Sequence, residues 1–142
     1  MNPRILAIKM HGKQLYSDGH PYIEHLDRVA AHFPPNSAAH DIAILHDILE
    51  DTPCTEEMLR ETYTTLVVDA VVLLTKVDKV SGDEYYARIK ANQYARMVKL
   101  ADLSDNMAHC LLNILNDVPP KNKRGWLEMA NTYAKRIHYL TT

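Results

Sequence analysis

The chain has 142 residues, enough for one compact domain with a single hydrophobic core, and we predict one domain over residues 1–142. Its 46% hydrophobic and 24% charged residues are typical of a globular protein, and its net charge of −2 gives no electrostatic case for a nucleic-acid or membrane-surface partner. Two distant cysteines outside any CxxC pattern, and the lack of an apolar run suited to a signal or a membrane span, predict a cytoplasmic protein.

Apolar residues recur at helical spacing almost throughout the sequence, and nothing in it indicates a sheet. Capping residues and prolines divide this pattern into successive helices. Their predicted starts, in chain order, are Asn2-Pro3, Pro21, Asn36 or Ser37, Thr55, about Leu66, Ser81, about Ala95 and the segment after Pro119-Pro120. The third helix is expected to continue through His46 and Leu49 and to end before Pro53. The sequence therefore predicts an all-α protein of about seven or eight helices.

The segment His46-Asp47-Ile48-Leu49-Glu50-Asp51 carries more charge than a stable helix end requires. On one continuous helix His46 and Glu50 would lie one turn apart, as would Asp47 and Asp51. Acids in the last turn of a helix are disfavoured by about 0.3–1 kcal/mol each. A solvated acidic helix end explains Glu50 and Asp51 but not His46-Asp47 among apolar neighbours. A bound cation would make ligands of these repelling groups.

Two further polar residues fall on predicted apolar helix faces. His25, in the sequence PYIEH, lies on the buried stripe of the second helix, where a lone histidine is ordinarily a satisfied core residue. Asp102, in VKLADLSDN, stands between apolar neighbours in a long helix, and aspartate is rarely buried without a partner. Two imidazoles and two carboxylates from three helices form a nitrogen and oxygen set suited to manganese, iron, zinc or cobalt.

The three segments PYIEH, HDILED and VKLADLSDN, in this order and at these separations, resemble the HD superfamily of metal-dependent phosphohydrolases. More narrowly, they are similar to the hydrolase domain of the RelA/SpoT alarmone enzymes and to the stand-alone small alarmone hydrolases. The resemblance runs from about His11 to His109. It implies a compact HD-domain helical bundle that binds one divalent cation, Mn²⁺ with other transition metals as alternatives. The metal ligands that it implies are His25, His46, Asp47 and Asp102.

The resemblance also implies roles for residues around the metal. Glu50 and Asp51 match the acidic pair that positions and deprotonates the attacking water. Asn106 matches a residue that contacts the nucleotide, and Lys99 matches a lysine near the site. The implied reaction removes the 3′-pyrophosphate from guanosine tetraphosphate or pentaphosphate.

The loop before PYIEH departs from the family pattern. Tyr16 stands where an arginine is expected, and no Lys or Arg occurs between Lys13 and Arg28. Tyr16 can still stack on a base, so we predict it as a substrate-binding residue together with Asn106 and Lys99. This loop nevertheless offers less positive charge to a polyphosphate than the corresponding loop of the family does.

Three functions therefore stay open at the level of sequence. The first is alarmone hydrolysis, and the second is hydrolysis of another nucleotide, such as an adenosine analogue or a nucleoside mono- or triphosphate. The basic-poor loop favours the second. The third is a non-catalytic nucleotide-sensing or protein-binding module, which is expected to lose a metal ligand or an acid, whereas all six positions are intact. The predicted partner is a nucleotide, and the sequence does not indicate an oligomeric state.

Overall fold

The computed structural model describes residues 1–119 and 121–142, and this part of the chain contains helices and no strand. The all-α prediction is confirmed. The helices are α1 (Pro3–His11), α2 (Tyr22–Ala30), α3 (Ala38–Leu45), α4 (Ile48–Asp51), α5 (Glu56–Thr62), α6 (Thr65–Leu74), α7 (Gly82–Lys90), α8 (Gln93–Asn116) and α9 (Lys123–Thr141). None of them, over the described residues, is long and apolar enough to cross a membrane. Pro120, predicted to separate the last two helices, lies outside these residues.

Most helices begin where the sequence predicts a cap. In six of them a side-chain oxygen accepts a backbone N–H of the first turn, which satisfies a donor that has no partner within the helix. These capping residues are Asn2, Ser37, Thr55, Thr64, Ser81 and Asn122. At the other end of α1, Gly12 adopts a φ of 56°, which glycine tolerates better than any other residue.

The chain divides into two compact units, and the first, Met1–Lys99, is built around α3. This helix packs against α1, α2 and α6. Five of its eight residues are buried, so it is apolar on nearly every side, as expected for a central helix. His46, the residue that directly follows α3, is therefore buried in the core of the first unit.

The second unit, Leu100–Thr142, contains the later turns of α8 and all of α9. Its core consists of the buried residues Cys110, Trp126 and Ala130 with four partly buried residues packed on them: Met107, Ile114, Met129 and Tyr133. The indole N–H of Trp126 donates to the carbonyl oxygen of Val118 over 2.7 Å, which fixes the start of α9 against the end of α8. The prediction of a single domain over residues 1–142 stays a prediction.

The predicted third helix is wrong in its extent, because it breaks at His46-Asp47 into α3 and α4. A continuous α-helix would bond the Asp47 N–H to the Ala43 carbonyl oxygen. In the structure the His46 ring nitrogen Nδ1 lies 2.6 Å from that oxygen. The side chain thus replaces the backbone donor, and Asp47 leaves helical geometry with φ −103° and ψ 1°. Glu50 and Asp51 consequently lie in a separate four-residue helix and not at the end of α3.

Candidate functional site

His46 is held so that one particular ring nitrogen faces the site. A carbonyl oxygen only accepts hydrogen bonds, so the contact with Ala43 places the hydrogen on Nδ1 and, in the neutral ring, the lone pair on Nε2. His46 Nε2 lies 3.1 Å from Asp47 Oδ2. An imidazole lone pair and a carboxylate oxygen repel one another at this distance unless a proton or a cation lies with them. The donor set therefore fits a bound cation.

Asp47 and His25 bring two more donor groups to the same place. The Tyr22 hydroxyl donates to Asp47 Oδ2 over 2.5 Å, which orients the carboxylate. His25 Nε2 lies 4.0 Å from the same oxygen, and the His25 side chain is almost fully buried. Its ring stacks on that of Tyr16, with 4.7 Å between the centroids and 11° between the planes.

Asp102 is the fourth predicted ligand. It lies on α8, three residues beyond the end of the first unit on the same unbroken helix. Only 4% of it is exposed, and the Asn106 side-chain amide donates to its Oδ1 over 3.4 Å. One group of His and Asp residues in the described chain could hold a metal ion, with one ligand atom from each residue and all of these atoms within 4.8 Å of one another. Its members are His25, His46, Asp47 and Asp102.

Glu50 is fixed by a backbone group of another segment. The Lys76 N–H donates to Glu50 Oε1 over 2.7 Å. The Lys76 ammonium in turn donates to the carbonyl oxygens of Val77 and Val80, which stabilises the turn carrying that N–H. Partial removal of the Glu50 carboxyl from solvent raises its pKa, the Lys76 N–H lowers it, and the charges of Asp47 and Asp51 raise it further. The net shift of the pKa is upward.

Asp51 has a side-chain donor instead. The Gln14 amide nitrogen Nε2 donates to Asp51 Oδ2 over 3.1 Å. The two predicted catalytic acids are thus adjacent in sequence but are held by different elements, Glu50 by the segment after α6 and Asp51 by the segment after α1.

The three predicted substrate-binding residues lie in different surroundings. Lys99 is partly buried, with its ammonium 5.5 Å and 5.8 Å from the ring centroids of Tyr85 and Tyr86. Tyr16 is only 9% exposed, and the Arg28 guanidinium lies 5.3 Å from its ring centroid. Much of the Tyr16 ring is therefore covered by protein. The predicted contacts of Asn106, Lys99 and Tyr16 with a substrate stay predictions.

Sequence reasoning missed several residues that hold the acids in place. The Lys76 N–H is a backbone donor, and no residue type marks such a role in a sequence. Gln14 is a polar residue in a loop, and its hydrogen bond to Asp51 joins residues 37 positions apart, which local sequence does not indicate. Tyr22 is a signal that the sequence does offer, because a partly buried tyrosine hydroxyl usually has a hydrogen-bond partner.

No protein-family model matches the chain. In sequence it is similar to a guanosine-3′,5′-bis(diphosphate) 3′-pyrophosphohydrolase of Haemophilus influenzae, with 31% identity over 96% of this chain and 22% of that protein. It is also similar to the bifunctional (p)ppGpp synthase/hydrolase SpoT of Escherichia coli, with 28% identity over 97% of this chain and 22% of that protein. The chain thus spans about a fifth of the length of these curated relatives.

In fold the chain is similar to the solved structure of a metazoan ortholog of SpoT, which is described as hydrolysing ppGpp. The TM-score is 0.74 at 19% sequence identity, over 97% of this chain and 82% of that one. Fold and site together define an all-α protein with a largely buried His and Asp group that could hold a metal. The predicted resemblance is confirmed, and the chain is RelA/SpoT hydrolase-like in sequence and in fold.

The raised pKa of Glu50 predicts that this residue lowers the stability of the metal-free protein at neutral pH. Stability from the protonated carboxyl is fully present below the ordinary pKa of glutamate, about 4.3, and is lost as pH rises through the raised folded value. Glu50→Gln mimics the protonated form and still accepts from the Lys76 N–H. We expect a higher urea midpoint than wild type at pH 7 with chelator present, and a smaller difference near pH 4.

The matched control for this measurement is Glu61→Gln, the same substitution at an exposed glutamate of α5. It should leave the urea midpoint close to that of wild type at both pH values. A Glu50→Gln protein that is no more stable than wild type at pH 7, or that gains equally at both pH values, would contradict the predicted cause.

Proposed function

We propose that this chain is a metal-dependent phosphohydrolase that removes the 3′-pyrophosphate from guanosine tetraphosphate or pentaphosphate. The observation that carries the proposal is the buried group of two imidazoles and two carboxylates beside a pair of separately held acids. The names of the relatives support the substrate, because the Haemophilus influenzae protein is a guanosine-3′,5′-bis(diphosphate) 3′-pyrophosphohydrolase. The structural similarity to the metazoan ortholog of SpoT supports the fold on which the proposal rests.

In this proposal the metal ligands are His25, His46, Asp47 and Asp102, and the preferred ion is Mn²⁺. Mixed nitrogen and oxygen ligands also suit iron, zinc or cobalt. The bound ion would supply Lewis-acid chemistry, which stabilises negative charge on phosphoryl oxygens and makes water a better nucleophile. The ring hydrogen bond of His46 and the Tyr22 hydroxyl on Asp47 support this role, because partners of this kind orient ligands and raise metal affinity.

Glu50 is the residue to which we assign the proton of the attacking water. The Lys76 N–H occupies Oε1, and Oε2 is the oxygen assigned to the water. The water oxygen bonds to the phosphorus that carries the 3′-oxygen. The bond between that phosphorus and the 3′-oxygen breaks, and the 3′-oxygen takes up a proton. The products are pyrophosphate and a guanosine 5′-di- or triphosphate. A pKa raised from the ordinary value makes Glu50 a better proton acceptor near neutral pH.

A second candidate function is hydrolysis of another nucleotide by the same site. It is favoured by the segment between Lys13 and Arg28, which contains no Lys or Arg to bind a polyphosphate. Much of the Tyr16 ring is also covered, by His25 and Arg28. The non-catalytic alternative, a nucleotide-sensing or protein-binding module, is disfavoured by the complete set of donors. A cytoplasmic location stays a prediction.

The role of Glu50 predicts a specific kinetic defect. Glu50→Gln should lower kcat by about 10² to 10⁴, the usual contribution of a general acid or base, while the amount of bound manganese stays at the wild-type level. Steady-state kinetics with elemental analysis of the same samples provides the measurement. A wild-type kcat in the folded, metal-loaded variant would show that Glu50 does not take the proton, and a loss of metal would make it a ligand.

The substrate is tested by release of phosphate or pyrophosphate across a nucleotide panel with manganese, and again after chelation. The panel contains guanosine and adenosine 3′-pyrophosphates, ordinary triphosphates and 5′-monophosphates. We expect the highest kcat/KM on guanosine tetraphosphate and no turnover with the chelator. Rapid turnover of a mono- or triphosphate without release from any 3′-pyrophosphate would establish the second candidate instead. No turnover of any member would contradict both.

A further inference from the structure

The segment from His11 to Tyr22 is folded back on itself between α1 and α2. The Tyr16 N–H donates to the His20 carbonyl oxygen over 2.9 Å, and the Tyr22 N–H donates to the Gln14 carbonyl oxygen over 3.0 Å. Leu15 and Pro21 also form an isolated antiparallel bridge. Backbone hydrogen bonds therefore fix the direction from which the side chains of this segment reach the site.

A chain of two hydrogen bonds runs from His11 to Asp51. His11 Nδ1 lies 2.8 Å from Gln14 Oε1, and Gln14 Nε2 lies 3.1 Å from Asp51 Oδ2. An ionised carboxylate only accepts, so the Gln14 amide must present its NH₂ group to Asp51 and its oxygen to His11. His11 must then donate from Nδ1. The His11 ring and the Gln14 amide therefore each have only one orientation in which both hydrogen bonds can form.

The His11 ring also connects this chain to the metal ligands. His11 is only 8% exposed, and its ring stacks on that of Tyr22 with 5.1 Å between centroids and 29° between planes. The hydroxyl of Tyr22 donates to Asp47. Nε2 of His11 is buried without a hydrogen-bond partner among the described residues, which suits the neutral ring with its hydrogen on Nδ1.

We infer that His11 and Gln14 are positioning residues for the reaction, acting on Asp51 through the Gln14 amide. The inference rests on the proposed function and adds a role for Asp51, the second acid of the predicted pair, which positions the water that Glu50 deprotonates. With Oδ2 occupied by Gln14, the other oxygen of Asp51 is the one that serves the water. His11 fixes the orientation of the Gln14 amide and, through its stack on Tyr22, packs against the side chain that orients Asp47.

A double-mutant cycle separates this role from a general effect on folding. Gln14→Met keeps the length of the side chain and removes its amide. We expect it to lower kcat by about 10- to 100-fold, on the scale known for loss of a hydrogen-bond partner of a metal ligand, with KM and manganese affinity little changed. In an Asp51→Ala background, where the amide has no carboxylate to hold, the same substitution should lower kcat by less than about twofold.

Gln93→Met is the matched control, the same substitution at an exposed glutamine in the first turn of α8, and it should leave kcat at the wild-type level. An equal loss from Gln14→Met in both backgrounds would contradict the inference and indicate a structural defect. A wild-type kcat for Gln14→Met would also contradict it. If the wild-type protein hydrolyses nothing in the nucleotide panel, the proposed function fails first, and the kinetic cycle is replaced by the following measurement.

The direction of the hydrogen bonds from His11 through Gln14 to Asp51 can be measured on the metal-free protein, with no need for activity. Nitrogen-15 NMR should show His11 as the neutral tautomer with its hydrogen on Nδ1, and Gln14→Met should change that tautomer balance. A ring with its hydrogen on Nε2 would contradict the inference, because the Gln14 oxygen would then face Asp51.

In the active enzyme, His11→Asn keeps a donor near the position of Nδ1, and His11→Phe keeps the stack on Tyr22 without a donor. We expect a loss of kcat similar to that of Gln14→Met for His11→Phe, and a clearly smaller loss for His11→Asn, which restores the donor but not the stack. The reverse order of the two variants would contradict the inference.

Discussion

The hydrogen bond from the His46 ring to the Ala43 carbonyl oxygen is the interaction on which the rest of the site depends. It takes the acceptor that the Asp47 N–H would use in a continuous helix, so the helix ends inside the core of the first unit. The same contact turns Nε2 of His46 towards Asp47 and releases Asp47 from helical geometry. A single side chain therefore breaks the helix and orients a nitrogen of the group that could hold a metal.

Three carboxylates follow this break within five residues, and each is held by a donor from a different part of the chain. Asp47 accepts from the Tyr22 hydroxyl, Glu50 from the Lys76 N–H and Asp51 from the Gln14 amide. Separate donors can keep like charges at fixed positions that mutual repulsion would otherwise disperse. A cluster of this kind lowers the stability of the protein in the absence of a cation, as is common where function requires strained or repelling groups.

The fold was predictable from the sequence to a large extent, because caps at Asn2, Ser37, Thr55 and Ser81 mark helix starts by local chemistry. The break at His46-Asp47 was not predictable in this way. It depends on a side chain competing with the backbone for one carbonyl oxygen, and apolar periodicity continues through it. The four residues of the predicted metal group could be predicted from their residue types and positions in the sequence. The donors that orient the acids could not, because they depend on tertiary packing.

The same limit explains the position of Tyr16. Its residue type suggested a platform for a nucleotide base, but its environment is set by α2, where His25 stacks on the ring and Arg28 lies over it. Neither contact can be read from the loop alone, since both require the loop to fold back onto the helix that follows. The loop that departs from the family pattern thus contains two side chains, Tyr16 and Gln14, that stack on or bond to predicted site residues.

We propose that this chain binds one catalytic cation beside, and not through, its acidic pair. Anomalous X-ray diffraction at the manganese absorption edge, from crystals grown with manganese, tests it most directly. We expect one strong peak per chain within bonding distance of His46 Nε2, His25, Asp47 and Asp102, with Glu50 outside that distance. No peak at this position, or a peak bonded to Glu50 and Asp51 instead, would contradict it.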